Sequence, residues 1–139
     1  MQPDVAFFGE KDYQQYLVIK KMTESLKLNT RIICVKTVRD RNGLPLSSRN
    51  SYLSSQEFKI AIKINKLLKK LPPLIRTKLK INKILNHTKK VLIDHGVDKI
   101  DYLTVLNDDL SVRKKISDKS RIFIAAKIGN TRLIDNIKI

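Results

Sequence analysis

The sequence predicts an α/β protein in which a βαβ unit precedes a small α+β domain. Two wholly apolar runs, 5–8 and 32–35, flank a stretch in which Val18, Met22 and Leu26 recur four residues apart. Apolar runs without alternation are typical of parallel strands that are buried on both faces. A four-residue spacing is that of one helix face. Residues 1–36 therefore predict a strand, a helix and a parallel strand.

Two helices are expected next. Ser54 and Glu57 have the spacing of a capping box. The helix that follows carries apolar side chains on one face and lysines on another, and Pro72-Pro73 is expected to end it. A second helix is expected to run to His95-Gly96, which is a C-cap signal.

An antiparallel sheet of about three strands is expected in the rest of the chain. The apolar patterns cover 100–106, 121–128 and 131–134, and the turns between them are expected at 108–109 and 117–118. The composition changes near residue 50, because residues 51–100 contain 12 basic and 3 acidic side chains. We therefore expect one domain over 1–50 and a second over 51–139.

The first two predicted strands are so apolar that they should have further neighbouring strands, which the first 36 residues do not contain. Two parallel strands do not make a stable covered sheet, and only four residues precede Val5. We therefore expect the chain to be the C-terminal part of something larger. The alternative is that later strands complete the sheet.

Composition excludes several classes of protein. An apolar content of 42% argues against disorder in spite of the net charge of +16. No apolar run approaches the roughly 20 residues of a membrane span, and the first residues lack the basic and apolar regions of a signal peptide. The single Cys34 excludes an internal disulfide and a cysteine-rich zinc site. These features favour a reducing cytoplasm.

The segment Gly9 to Gln15 follows the first strand and leads into the helix. In parallel sheets, ligands bind at the carboxyl ends of strands, and a glycine there lets a ligand approach the backbone. Lys11 and the helix N-terminus suit phosphate. Asp12 suits sugar hydroxyls, and Gln15 suits a small polar substrate. The alternative is an ordinary turn in which Asp12 is the N-cap.

The segment Leu46-Ser47-Ser48-Arg49-Asn50 follows the second strand. Its two hydroxyls and the guanidinium of Arg49 suit phosphate oxygens, whereas the alternative is a polar loop leading to a helix cap. Because both segments follow parallel strands, we expect them to face one cleft.

Together these residues resemble a known family. Pro3 to Gln15, Arg39 to Leu44, Leu46 to Asn50, and the closing Thr131 to Asn136 resemble the motifs of the pantoate–beta-alanine ligases, in outline over the whole chain. The resemblance implies the C-terminal part of a nucleotidyltransferase-like Rossmann domain over 1–50 and a lid domain over 51–139. The family's N-terminal half, with its histidine-containing phosphate motif, has no counterpart here.

The resemblance also implies a reaction and a set of site residues. ATP and Mg²⁺ would convert pantoate to pantoyl adenylate with release of pyrophosphate, and β-alanine would then give pantothenate and AMP. Gln15 would bind pantoate, the implied catalytic residues are Lys11, Ser47, Ser48 and Arg49, and no residue is implied to bind a metal. The ATP contacts would be Gly9, Glu10, Lys11, Asp12, Val38, Leu46, Ser47, Ser48 and Arg49. Family members are homodimers, but the dimer contact is expected in the absent half. We expect the chain to be inactive alone.

Two other functions are consistent with the residues. The basic helices predict a module that binds nucleic acid or another polyanion. Against this, lysines opposite an apolar face are the usual pattern of a solvated helix, and the abundance of Lys, Ile and Asn is also typical of A/T-rich coding. The second alternative is an ATP-binding remnant with another acid substrate. His87, His95 and Cys34 are interpreted as structural residues, His95 as a cation at a helix C-terminus and Cys34 as a small buried side chain.

Overall fold

A computed structural model describes residues 3–77, 80–107, 110–111, 116 and 119–139. The chain forms two compact units, Met1–Val38 and Arg39–Ile139. The sequence prediction put the boundary after residue 50. The difference arises because Leu44 is buried in the core of the second unit and Arg39 pairs there with Asp135.

The first unit is the predicted βαβ unit. Strand β1 (Val5–Gly9) pairs in parallel with β2 (Arg31–Val35), and helix α1 (Tyr13–Ser25) lies between them in the chain. The register aligns Val5 with Arg31 and Gly9 with Val35, so both strands end at the same edge. A 3₁₀ turn, Glu10–Asp12, joins β1 to α1.

The apolar side chains of this unit are less buried than their pattern predicts. Phe7 on β1 is 67% exposed and Val18 on α1 is 62% exposed. Met22 and Leu26, which share the spacing of Val18, are exposed as well. The prediction that both strands are buried on both faces is therefore wrong for this chain, because the sheet to which they belong has two strands and leaves these side chains uncovered within the described residues.

The second unit packs two helices against an antiparallel sheet. Helix α2 (Ser55–Arg76) is followed by α3 (Ile81–Asp94), and then by β3 (Lys99–Asn107), β4 (Ser120–Ile128) and β5 (Thr131–Lys138) in the spatial order β3-β4-β5. The sheet prediction is confirmed. The turns expected at 108–109 and 117–118 lie outside the described residues. The buried side chains that form the core include Ile64, Leu68, Leu71, Ile75, Leu92, Val97, Leu103, Ile122, Ile124 and Ile128.

Helix α2 begins where the sequence predicts but ends later. Ser54 Oγ accepts the Glu57 N–H at 3.3 Å, and the Glu57 carboxylate accepts the Ser54 N–H at 2.8 Å, so the capping box is formed. The prediction that Pro72-Pro73 ends the helix is wrong, because α2 continues through both prolines to Arg76. Ile75 is fully buried in the core, and its packing holds the last turn in place.

The lysines of α2 lie on the predicted solvent face. Lys59, Lys63, Lys66 and Lys70 are exposed, opposite the buried Ile64 and Leu68. Helix α3 ends at His95-Gly96 as predicted: Gly96 has a φ of +96° and His95 Nδ1 lies 2.6 Å from the Val91 carbonyl oxygen. No helix among the described residues combines the length and apolar character that a membrane crossing requires.

Candidate nucleotide-binding site

Gly9 lies at the carboxyl edge of the two-stranded sheet, paired with Val35. Its φ of −69° and ψ of 133° are ordinary extended values that any residue adopts. A Cβ atom built at Gly9 would have nothing within 4 Å. Neither the backbone conformation nor the packing therefore requires glycine here, and the space in front of it is open to a ligand.

The turn after Gly9 places three charged side chains at the start of α1. Glu10 and Lys11 are half-buried and Asp12 is exposed. Asp12 occupies the N-cap position, but its side chain makes no capping hydrogen bond. Gln15 is exposed on the first turn of the helix. The sequence alternative, in which the Asp12 side chain caps the helix, is therefore not realised.

The second predicted segment belongs to the second unit. Leu46, Ser48 and Arg49 are exposed, and Ser47 is half-buried at the cap of a 3₁₀ turn that runs over Ser48–Tyr52. The Ser47 hydroxyl accepts the Arg49 N–H at 3.3 Å, and the Ser47 carbonyl accepts the Asn50 N–H at 3.0 Å. The turn thus leaves Ser48 and the neighbouring Arg49 exposed, and hydroxyl and guanidinium groups are donors that phosphate oxygens accept.

A tight hairpin precedes this turn. The Asp40 carboxylate accepts the N–H groups of Asn42 and Leu44, each at 2.8 Å, and Gly43 has a φ of +86°. The Asn50 side chain donates to the Pro45 carbonyl at 2.9 Å. The hairpin and the 3₁₀ turn are therefore joined by a hydrogen bond in addition to the chain itself.

A buried ion pair anchors the hairpin to the sheet. Arg39 donates from two nitrogens to the two carboxylate oxygens of Asp135, both at 2.8 Å, and also to the Gly43 carbonyl at 3.1 Å. Asn65 of α2 donates to Asp135 Oδ2 at 3.2 Å, and the Asn136 N–H donates to Oδ1 at 2.8 Å. Arg39 and Asp135 both belong to the sequence motifs. No pattern in the sequence predicts that they are in contact, because they are 96 positions apart.

A cavity of about 560 Å³ adjoins Arg49 within the second unit. Two of its lining residues have shifted pKa values. Hydrogen bonds from the backbone and then the side chain of Ser54 hold the pKa of Glu57 below the ordinary value, and a hydrogen bond to Asp101 raises the pKa of Arg132. Local spacing did not indicate this cavity, because its walls come from distant segments: Arg49, Tyr52, Glu57, Asn130, Thr131 and Arg132.

The sequence-predicted site residues therefore form two groups. The sheet edge of the first unit holds Gly9 and, beside it, Glu10, Lys11, Asp12 and Gln15, while Val38 is exposed at the end of that unit; the second unit holds Leu46, Ser47, Ser48 and Arg49. Among the described residues, no three His, Cys, Asp or Glu side chains are grouped as candidate ligands of one metal ion.

Comparison with known proteins gives one family. The family model described as pantoate-beta-alanine ligase matches residues 1–138. Pantothenate synthetase from Bradyrhizobium sp. is 41% identical over 140 residues, which cover 99% of this chain and 49% of the relative. Pantothenate synthetase from Buchnera aphidicola is 44% identical over 146 residues, 100% of this chain and 50% of the relative. The chain thus spans about half the length of the curated relatives it matches, and its placement in the C-terminal half stays a prediction.

Solved structures agree with the sequence match. The chain is similar to pantothenate synthetase from Thermus thermophilus, with a TM-score of 0.89 and 33% identity over 99% of this chain and 50% of that one. It is also similar to the pantoate-beta-alanine ligase from Francisella tularensis, solved with beta-gamma ATP and beta-alanine, with a TM-score of 0.72 and 34% identity over 99% of this chain and 44% of that one. On the family match, the sequence identities and the shared fold, this chain belongs to the pantoate–beta-alanine ligase family.

Proposed function

We propose that this chain supplies one half of an ATP-dependent ligase that joins pantoate to β-alanine. The observation that carries the proposal is the open position in front of Gly9, beside Lys11 and Asp12 at the carboxyl edge of a parallel sheet. Ligands of α/β proteins bind at such edges. The family match and the ATP-complexed relative support ATP as the ligand.

The reaction balances as two displacements. The pantoate carboxylate attacks the α-phosphorus of ATP, forming a pantoyl adenylate while pyrophosphate leaves. The amine of β-alanine then attacks the acyl carbon of this anhydride, the bond from that carbon to the AMP oxygen breaks, and the nitrogen releases a proton to solvent as the amide forms. A carboxylate is already ionised at neutral pH, so the first step needs no general base. It needs positioned substrates and cations at the phosphates.

Each site residue has a role that its chemistry supports. Lys11, Ser47, Ser48 and Arg49 donate to the phosphate oxygens and stabilise the charge that develops on pyrophosphate. Gly9, Glu10 and Asp12 bind the ribose side of ATP, and Gln15 binds pantoate. Val38 and Leu46 border the adenine.

Mg²⁺ enters this proposal with ATP. Mg²⁺ keeps several waters and is commonly held by substrate phosphates with one or two carboxylates. We therefore assign most of its ligands to the triphosphate and to water. We place the reaction in the cytoplasm, and we expect the isolated chain to be inactive. A homodimer, as in the family, would form only with the complementing half.

The test is AMP release from MgATP, pantoate and β-alanine. The chain is assayed alone and then mixed with the half of the Thermus thermophilus enzyme that it does not match. We expect activity only in the mixture, and a loss of about a hundredfold or more in Lys11→Ala. Lys20→Ala is the matched control, because Lys20 is an exposed lysine on the same unit. No AMP release from a mixture in which the two halves co-elute as a complex contradicts the proposal.

A further inference from the structure

We propose that Arg39 is a positioning residue. Its ion pair with Asp135 holds the 3₁₀ turn whose Ser47, Ser48 and Arg49 carry the proposed triphosphate contacts. The consequence for nucleotide binding rests on the function proposed above, whereas the consequence for the conformation of the turn does not.

The burial and the hydrogen bonds of the Arg39–Asp135 pair restrict it to one geometry. The Asp135 side chain is 6% exposed and that of Arg39 is 21% exposed. Each carboxylate oxygen of Asp135 accepts two hydrogen bonds, one of them from an Arg39 nitrogen. The second donor is the Asn65 side chain at Oδ2 and the Asn136 N–H at Oδ1. A planar guanidinium facing a carboxylate with two parallel bonds fixes orientation as well as distance. Lysine has no such fork and does not replace it.

Hydrogen bonds and one β-bridge lead from this pair to the turn. Arg39 donates to the Gly43 carbonyl. The Asp40 N–H donates to the Leu44 carbonyl at 2.9 Å, where Arg39 and Pro45 form an isolated antiparallel bridge. The Pro45 carbonyl accepts the Asn50 side chain at 2.9 Å. The Asn50 N–H in turn donates to Ser47, whose hydroxyl accepts the Arg49 N–H. Movement of Arg39 therefore displaces the segment that presents Arg49.

The turn has little apolar packing of its own. Leu46 is 56% exposed, and Ser48 and Arg49 are exposed. Segments with few buried contacts open locally at low cost unless polar contacts restrain them. The hairpin with its ion pair supplies such a polar restraint, because it ties this segment to the sheet.

The direct test is amide hydrogen exchange in the full chain, followed by NMR. In Arg39→Met and in the isosteric Asp135→Asn, we expect exchange at the Arg49 and Asn50 amides to accelerate at least about tenfold. The paired strand residues Leu103 and Ile124 report global unfolding in the same sample. Their exchange is expected to change less than about threefold. Equal acceleration at turn and strand amides, or no acceleration at the turn, overturns the proposal.

Two further variants make the test specific. Asn50→Ala breaks the side-chain bond to the Pro45 carbonyl without touching the buried pair, and it should reproduce the acceleration at Arg49. Asp101→Asn is the matched control, because the ion pair of Asp101 on β3 with Arg132 on β5, at 2.7 Å, is not part of the series of contacts from Arg39 to Arg49. It should leave the turn amides as in the unaltered chain. Acceleration in Asp101→Asn equal to that in Asp135→Asn also overturns the proposal.

Nucleotide affinity separates the two proposals. With the complementing half present, we expect the dissociation constant of MgATP to rise about tenfold or more in Arg39→Met and less than about twofold in Asp101→Asn. Failure of the unaltered complex to bind MgATP counts against the proposed function, while the exchange pattern still decides the positioning role. Normal affinity in an Arg39→Met complex whose turn is loosened overturns the link between this pair and ligand binding.

Discussion

At the scale of single residues, two glycines in this chain have opposite reasons for being glycine. Gly9 has an extended backbone and open space where a Cβ would stand, so neither its backbone nor its described neighbours require glycine. Gly43 has a φ of +86°, and a Cβ there would lie 2.6 Å from Asn65 Oδ1. The structure therefore explains the second glycine, and the proposed ligand site explains the first.

The Gly43→Ala substitution is expected to destabilise the second unit by about 1–3 kcal/mol. The left-handed backbone is strained for alanine, and the new methyl group collides with a side chain that the core holds in place. Urea denaturation followed by far-UV circular dichroism measures the change. Unaltered stability would mean that the hairpin reforms in another conformation.

The Gly9→Ala substitution is expected to leave stability within about 0.5 kcal/mol. It should weaken MgATP binding about tenfold, because the methyl group occupies space that the proposed ligand needs. Calorimetric titration of the complemented protein measures the affinity, and the same denaturation experiment measures the stability. Full affinity for MgATP would remove the ligand-based reason for this glycine.

At the scale of elements, local signals in the sequence predict the start of α2 better than its end. Ser54 and Glu57 form the expected capping box within four residues of chain. The end of α2 depends instead on Ile75, whose burial in the core carries the helix past Pro72 and Pro73. A proline pair is a local signal that can be read from the sequence. The tertiary packing of a residue beyond the pair cannot be predicted from a local pattern.

Removal of the helix cap by Ser54→Ala is expected to reduce the stability of the second unit by about 1 kcal/mol. The Glu57 N–H then loses the hydroxyl that accepts it at 3.3 Å. Thermal unfolding measures the loss, and Ser55→Ala is the control at the neighbouring exposed serine. Equal losses in both variants would contradict a capping role.

The capping box also predicts a dependence of stability on pH. Hydrogen bonds from Ser54, above all from its backbone N–H, lower the pKa of Glu57 in the folded state. A lowered carboxylate pKa stabilises the fold at pH values above the unfolded pKa, which is about 4.3 for glutamate. This stabilisation is lost as the pH falls through the folded pKa.

Glu57→Gln should therefore reduce the fall in stability below about pH 4. Denaturation at a series of pH values, compared with the unaltered chain, measures this difference. Identical pH profiles of the two proteins would contradict the role of Glu57 in the pH dependence of stability.

At the scale of the whole molecule, the contrast between the two units is the main departure from the sequence prediction. The second unit has a buried apolar core, whereas the predicted helix face of the first, Val18, Met22 and Leu26, is exposed. The periodicity correctly predicts a helix with one apolar face. The periodicity does not show whether another part of the described chain packs against that apolar face. Likewise, the motifs predict which residues lie near the end of each strand. They do not predict the Arg39–Asp135 pair, because its residues are 96 positions apart and no local pattern connects them.

The exposed apolar side chains of the first unit are expected to cause self-association of the isolated chain. Light scattering after size exclusion should give an average mass above 16.1 kDa that rises with concentration. Phe7→Ser should lower this mass, because Phe7 is 67% exposed on β1. Leu74→Ser, at an exposed leucine of α2 in the second unit, is the control and should have little effect. A mass of 16.1 kDa at every concentration would contradict this expectation.

The ion pair between Arg39 and Asp135 has a consequence for synthesis on the ribosome. Arg39 leaves the exit tunnel long before Asp135 on β5 is translated, since 96 positions separate them. Contacts between residues so far apart in sequence form late. The nascent chain therefore cannot form this pair until β5 has emerged, and the turn that carries Ser47 to Arg49 acquires its final shape only then. A message broken before the codons of β5 would yield a polypeptide in which Arg39 has no Asp135 to pair with, and the proposed phosphate contacts would lack this restraint.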